Sequence, residues 1–220
     1  MKSQQAGFTL VEIAIVLVII GLILGGALKG QELIQTAKVR SSINQIDGVK
    51  AAYYAFQDRY RALPGDYSQA TVNLPAPPTG VTVNNVNGAG TIVGAGEEGQ
   101  AWLHMSVAGF LNGEYDGNAG NNDYNCPATT CLPNPFSGTM HLSFGSLVAT
   151  AATSHELTTG RRIPVGIIAE IDRKIDDGLP NGGILQRAQA GAFAGCVTGN
   201  AWNVSSATPS QDCIGVITGL

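Results

Sequence analysis

The stretch Gly7-Phe8-Thr9-Leu10-Val11-Glu12 opens the apolar segment around which the rest of the chain is organised. From Phe8 to Leu28 there are 21 residues, and all of them except Thr9, Glu12 and the glycines are apolar. A helix of that length is about 30 Å long, which is enough to cross the hydrocarbon core of a bilayer. Glu12 places one carboxylate inside the segment, where a charge costs about 2.5–3.5 kcal/mol, so a specific role for it is expected.

A cleaved secretory signal is the alternative interpretation of this segment. Such a signal has an apolar region of about 7–15 residues, followed by a cleavage site made of small residues. In this chain the apolar run is longer than that, and the small residue Gly7 precedes it. The segment is therefore predicted to remain part of the protein as an anchor.

Residues 1–30 resemble the N-termini of type IV pilins and of the pseudopilins of type II secretion. Met1 to Gly7 resembles their short leader peptide, and the Gly7–Phe8 bond resembles the one that prepilin peptidase cleaves. The resemblance implies that the same enzyme N-methylates Phe8 and that Glu12 is the acidic residue used in assembly. It also implies four partners: other pilin or pseudopilin subunits, the peptidase, an inner-membrane assembly platform and membrane lipid.

The apolar pattern continues beyond the membrane-length segment at steps of three or four residues, as on one face of a helix. The residues of this stripe are Val39, Ile43, Ile46, Val49, Tyr53, Phe56 and Tyr60. No proline lies between Phe8 and Leu63, and Pro64-Gly65 then interrupts the pattern. One helix is predicted over about 8–62.

This pattern divides the chain into four parts. Residues 1–7 form a leader, 8–28 a membrane-spanning or filament-core half-helix, 29–62 an amphipathic half-helix and 63–220 a globular head. Within the head we expect a helix over 97–111, a strand over 139–148, and short strands near 183–187, 193–197 and 214–217. Residues 164–176 fit a strand or a helix, and the face shared by Ile168, Ile171 and Ile175 favours a helix. The predicted fold class is α+β and pilin-like, with the long helix packed on a head that contains a small antiparallel sheet and short helices.

The charges are distributed unevenly along the chain. Residues 1–62 carry seven Lys/Arg and four Asp/Glu, whereas residues 63–220 carry five Lys/Arg and twelve Asp/Glu. An acidic head repels phosphates, so nucleic acid is not expected as a partner. Lys29, Lys38 and Arg40 follow the apolar segment, and the positive-inside rule alone would place that side in the cytoplasm. The resemblance and the cysteines instead favour a single-pass inner-membrane protein with a cytoplasmic N-terminus and a periplasmic head, later incorporated into a periplasmic or extracellular filament.

The head contains four cysteines, Cys126, Cys131, Cys196 and Cys213. An even number in a chain with an export-type anchor indicates disulfides in an oxidising compartment. Three pairings are possible, and proximity in sequence favours Cys126–Cys131 and Cys196–Cys213. A zinc site is the alternative, but neither pair has the Cys-x2-Cys spacing of a zinc knuckle.

One loop of the head has the composition of a cation site. Asp116, Asn118 and Asp123 alternate with glycines and further asparagines, and such oxygen ligands suit Ca²⁺. The loop lacks the full EF-hand pattern, so a polar turn is the alternative, and no other cofactor is expected. A second acidic cluster, Asp172, Asp176 and Asp177, is interpreted as a helix end followed by a turn.

No convergent catalytic set is found in the head. The segment Gly94–Gly99 fits GxGxxG, but Glu97 and Glu98 within it would repel a pyrophosphate. The three histidines are isolated from one another in sequence. We therefore expect a structural, non-enzymatic subunit of a type IV pilus or a type II secretion pseudopilus. Two alternatives stay open: a minor subunit at the filament tip, and a membrane-anchored periplasmic binding or enzymatic domain.

Overall fold

The computed structural model describes residues 9–119, 126–145, 147–148, 154–189 and 193–220. Its helices are α1 (Leu10–Tyr60), α2 (Ala70–Asn73), α3 (Ala95–Val107) and α4 (Val165–Ile175), with a short 3-10 helix at Ala194–Cys196. Its strands are β1 (His141–Phe144), β2 (His155–Thr158), β3 (Leu185–Arg187), β4 (Val197–Thr198), β5 (Ala201–Trp202) and β6 (Gly215–Thr218). The prediction of an α+β fold with a long N-terminal helix and a head of small antiparallel sheets is confirmed.

The chain forms two compact units, the first ending at Lys38 and the second running from Val39 to Leu220. In the first unit, α1 is exposed along its whole apolar segment. Among the described residues, α1 is the one helix whose length and composition would allow it to cross a membrane.

In the second unit, the C-terminal part of α1 buries one face in the head. Val39, Ile46, Val49, Tyr53 and Phe56 are all buried, as the spacing in sequence predicts. These side chains are separated by three, four or seven residues, so they lie on one side of the helix and pack into a single core.

The helix ends at Tyr60, two residues before the predicted boundary. Arg61 has a φ of 53°, which leaves the right-handed helical region, and a tight turn follows in which the Asp66 N–H donates to the Leu63 carbonyl at 3.2 Å. Gly65 in this turn has a φ of 84°, and a Cβ there would lie 2.3 Å from the carbonyl oxygen of Glu97. Only glycine therefore lets the turn approach α3 this closely.

The main sheet has the strand order β1-β2-β6-β3, and all of its pairs are antiparallel. One row of paired residues, Leu142, Leu157, Ile217 and Leu185, crosses all four strands and is fully buried. This row is the apolar centre of the sheet. A second sheet consists of the hairpin of β4 and β5.

Several details of the head differ from the expectations. Helix α2 and strand β5 have no predicted counterpart, and α3 ends at Val107, before the predicted end at residue 111. The strand expected over 139–148 is limited to β1, and part of the strand expected near 193–197 is the 3-10 helix. Strand β2 was not predicted because His155 and Glu156 interrupt its apolar pattern. Both polar side chains find buried partners: His155 Nε2 accepts the Ile92 N–H at 3.2 Å, and Glu156 Oε2 accepts the Leu147 N–H at 2.9 Å.

Candidate functional site

Thr9 and Glu12 form a reciprocal set of hydrogen bonds at the start of α1. The Thr9 N–H and hydroxyl donate to Glu12 Oε2 at 2.8 and 2.7 Å, and the Glu12 N–H lies 3.3 Å from Thr9 Oγ1. This arrangement is a capping box, in which two backbone N–H groups that the helix cannot satisfy are bound by side chains. The carboxylate also lies at the positive end of the helix dipole, which stabilises its charge.

The capping box was not recognised in the sequence, although its signature, Thr-x-x-Glu before an apolar run, is present there. Gly7 and Phe8, the predicted cleavage and methylation site, lie outside the described residues. Their roles, and that of Glu12 in assembly, stay predictions.

The apolar surface that follows the capping box has no partner within the described chain. Leu10 is 87% exposed and Leu22 is 73% exposed, and every residue from Leu10 to Leu28 is classed as exposed. A Cβ added at Gly21, Gly25 or Gly26 would meet no atom within 4 Å. An apolar surface of this extent is stable only when lipid or other protein covers it.

Residues 2–28 match the family model described as the prokaryotic N-terminal methylation motif. The chain therefore carries the signal of type IV pilins and pseudopilins. No curated protein and no solved structure matches the chain. The pilin-type motif implies processing by prepilin peptidase and assembly with other pilin subunits, and it fits a membrane-anchored, single-pass protein.

The head contains two disulfides. Cys126 pairs with Cys131 and Cys196 pairs with Cys213, with Cα–Cα distances of 5.9 and 5.7 Å. These are the pairs that proximity in sequence favoured. Cys196–Cys213 connects the residue before β4 to the segment before β6, where the Cys213 N–H also donates to the Ile163 carbonyl at 2.8 Å.

The loop that the sequence suggests for Ca²⁺ is only partly described. Asp116 Oδ1 accepts the Asn118 N–H at 3.0 Å and the Thr130 hydroxyl at 2.8 Å, while Asp123 lies outside the described residues. Partial burial acts to raise the pKa of Asp116, but hydrogen bonds from Asn118 and the neighbouring threonines outweigh it, and the pKa is lowered. The carboxylate is thus ionised and forms a turn, and Ca²⁺ binding by Asp116, Asn118 and Asp123 stays a prediction.

The three histidines do not come together as a catalytic group. His104 Nδ1 accepts the Gly65 N–H at 3.0 Å and its ring stacks on Phe56, and His141 Nε2 lies 2.8 Å from Glu98 Oε2. His155 bonds the backbone of Ile92, as described above. Each histidine therefore joins separate segments of the buried core, which is a structural role.

Proposed function

We propose that this protein is a structural filament subunit, cleaved between Gly7 and Phe8 by prepilin peptidase and assembled through α1. The proposal rests on three features that occur together at the start of α1. A methylation motif, a capped acidic residue and a fully exposed apolar surface occur together. A membrane covers this surface before assembly, and the helices of other subunits cover it in the filament.

The same reasoning supports a location for each part. The leader lies in the cytoplasm, the apolar half of α1 lies in the inner membrane, and the disulfide-containing head folds in the periplasm. Disulfides persist in an oxidising compartment, which favours export of the head. The assembly platform of the inner membrane then moves the subunit into a periplasmic or extracellular filament.

The intact mass of the mature protein tests cleavage. A chain that begins at methylated Phe8 is expected in a strain with the peptidase, and the full-length chain in a strain without it. The variant Gly7→Val should stay uncleaved, and Gly21→Ala, a change inside the apolar segment, should be processed normally. A mature N-terminus beyond Leu28 would instead show ordinary signal-peptide removal and would contradict the proposal.

A further inference from the structure

The chain contains three Asn-Gly pairs, at residues 87–88, 112–113 and 181–182. Asparagine followed by glycine is the dipeptide most prone to deamidation, because glycine has no Cβ to keep its backbone nitrogen away from the asparagine side chain. The reaction requires a free side-chain amide, a free glycine N–H and a backbone that can change conformation. The hydrogen bonds around the three pairs therefore indicate which pair can react.

The pair at residues 87–88 is held by hydrogen bonds on both residues. Asn87 Nδ2 donates to Glu97 Oε1 at 2.9 Å, and Asn87 Oδ1 accepts the Ala89 N–H at 2.8 Å. The Gly88 nitrogen would have to attack the side chain, but its N–H donates to Asp66 Oδ1 at 2.8 Å. These bonds must break before the pair can react, which raises the barrier.

The pair at residues 181–182 is restrained in a similar way. Asn181 Nδ2 donates to the Gly199 carbonyl at 2.9 Å, and the Gly182 N–H donates to the Leu179 carbonyl at 3.5 Å. The second bond is long, so this pair is held less tightly than the first. It still has a bound side-chain amide and a bound attacking nitrogen.

The pair at residues 112–113 is free of such restraints. Asn112 and Gly113 are both exposed, and they lie in the irregular loop after α3. Within the part of the chain that the structure describes, neither the Asn112 side chain nor the Gly113 N–H forms a hydrogen bond. Gly113 has a φ of 129°, which residues with a Cβ rarely adopt. The side-chain amide and the attacking nitrogen are therefore both available.

Tyr115 lies against this pair and polarises the peptide group that joins its two residues. A Cβ at Gly113 would lie 2.8 Å from the Tyr115 hydroxyl oxygen, and this hydroxyl donates to the Asn112 carbonyl at 3.3 Å. Burial raises the pKa of Tyr115 to about 12, so the hydroxyl keeps its proton at neutral pH. The Asn112 carbonyl belongs to the same peptide group as the Gly113 N–H. A hydrogen bond to this carbonyl therefore favours loss of the N–H proton, since it strengthens as the oxygen gains negative charge.

We propose that Asn112 is a site of spontaneous deamidation and that Tyr115 promotes the reaction. The Gly113 nitrogen forms a bond to Cγ of Asn112, and the side-chain nitrogen leaves as ammonia with the proton that Gly113 loses. Water then opens the resulting succinimide at either of its carbonyls. The products are aspartate and isoaspartate, and a proton returns to the Gly113 nitrogen. Water is the only co-reactant.

The products change the surface of the head. They add a carboxylate where Glu114 and Asp116 already follow closely in sequence. Isoaspartate also adds a carbon to the main chain between the Tyr115–Asn112 hydrogen bond and the one that the Ser106 hydroxyl donates to the Gly113 carbonyl. Because Ser106 is in α3, the attachment of the loop to this helix should weaken. The proposal does not depend on filament assembly.

Peptide mapping of the aged protein tests the proposal. The full-length protein in nonionic detergent is kept at neutral pH, digested at acidic pH to prevent further reaction, and analysed by mass spectrometry. Asn112 is expected to react on the order of tenfold faster than Asn87 and Asn181, the rate effect of one or two hydrogen bonds. In urea the hydrogen bonds of the fold are lost, and the three rates should become similar. Equal rates in the native protein, or the native ranking in urea, would overturn the assignment.

Tyr115→Phe is the informative variant because it removes the hydroxyl and keeps the ring. It should slow the reaction at Asn112 about fivefold in the native protein, with an unchanged circular dichroism spectrum, and react like the wild type in urea. The matched control, Tyr67→Phe, removes the hydroxyl of another buried tyrosine and should leave the rate at Asn112 unchanged. An undiminished rate in native Tyr115→Phe, or the same loss in Tyr67→Phe, would overturn the role assigned to Tyr115.

Discussion

The apolar half of α1 exposes its apolar side chains, whereas the head buries several polar side chains. Between Leu10 and Leu28 the large apolar side chains are exposed, and the single carboxylate is satisfied by a residue three positions away. The head buries Asp66, Glu98, His141, Glu156 and Asp172 together with its apolar core. The first region therefore requires partners from outside the chain, whereas the second satisfies most of its polar groups internally.

The largest expected effect comes from replacing Glu12, the single carboxylate in the exposed apolar half of α1. In a mature helix that begins at Phe8, Glu12 is one turn from the terminal amine, and in a staggered filament it can face the amine of a neighbouring subunit. Glu12→Ala should enter the membrane and be cleaved normally, yet reduce filament yield at least tenfold. Complementation of a null strain measures both steps, with cleavage read by gel shift and filaments by shearing and microscopy.

Glu12→Gln separates the charge of Glu12 from its role in the capping box. Glutamine can still accept the hydrogen bonds of Thr9, because Ser/Thr-x-x-Gln also forms a capping box. If pairing of charges drives assembly, Glu12→Gln should fail as Glu12→Ala does. Normal filament yield from Glu12→Gln would show that the capping box alone accounts for the need for Glu12.

The second effect comes from removing the disulfide Cys196–Cys213 in the head. Cys196 and Cys213 are 17 positions apart, and a loop of that size is worth about 3 kcal/mol in the chain-entropy model. The double variant Cys196→Ser/Cys213→Ser should lower the free energy of unfolding by about that amount and leave cleavage at Gly7 unchanged. Chemical denaturation measures the loss.

The other disulfide serves as the matched control. The Cys126–Cys131 loop is shorter, with a separation of 5, so the corresponding double variant should lose less. Equal losses from the two double variants would contradict the loop-entropy explanation.

The third effect is a dependence of head stability on pH. Burial lowers the pKa of His104 to about 4, from 6.5 in an exposed histidine. Above pH 6.5 the ring is neutral in both states, so its contribution is fully present. As the pH falls toward 4, only the unfolded chain gains the proton, and stability should decrease by up to about 3 kcal/mol. Denaturation series between pH 7.5 and about 4.5 measure the slope.

His104→Gln is the control for this slope because its side-chain oxygen can still accept the Gly65 N–H. The variant should show a weaker pH dependence than the wild type. Some slope should persist, since burial also lowers the pKa of His155. An unchanged slope in His104→Gln would exclude His104 as its source.

Local patterns were sufficient to predict α1 and its motif. The apolar run, the stripe from Val39 to Tyr60, the Pro64-Gly65 stop and the residues around Gly7 each depend on neighbours within a few positions. For α4 the local pattern allowed a strand or a helix, and the face shared by Ile168, Ile171 and Ile175 favoured the helix that is observed at Val165–Ile175. Such periodicity results from backbone geometry and is visible without knowledge of the fold.

The sequence by itself thus determined the long helix and its apolar half, and it favoured, among three possible pairings, the disulfide pairs that the structure contains. Only the tertiary structure decided the polar interior of the head. Strand β2 contains His155 and Glu156, which interrupt its apolar pattern, and their partners, the N–H groups of Ile92 and Leu147, become apparent only in the folded chain. Asp172 was predicted to lie at a helix end, whereas in the structure its carboxylate is buried and accepts the indole N–H of Trp202, 30 positions away. A buried polar group is costly unless it has a hydrogen-bond partner. In the head these partners come from other segments of the chain, and sequence spacing does not reveal them.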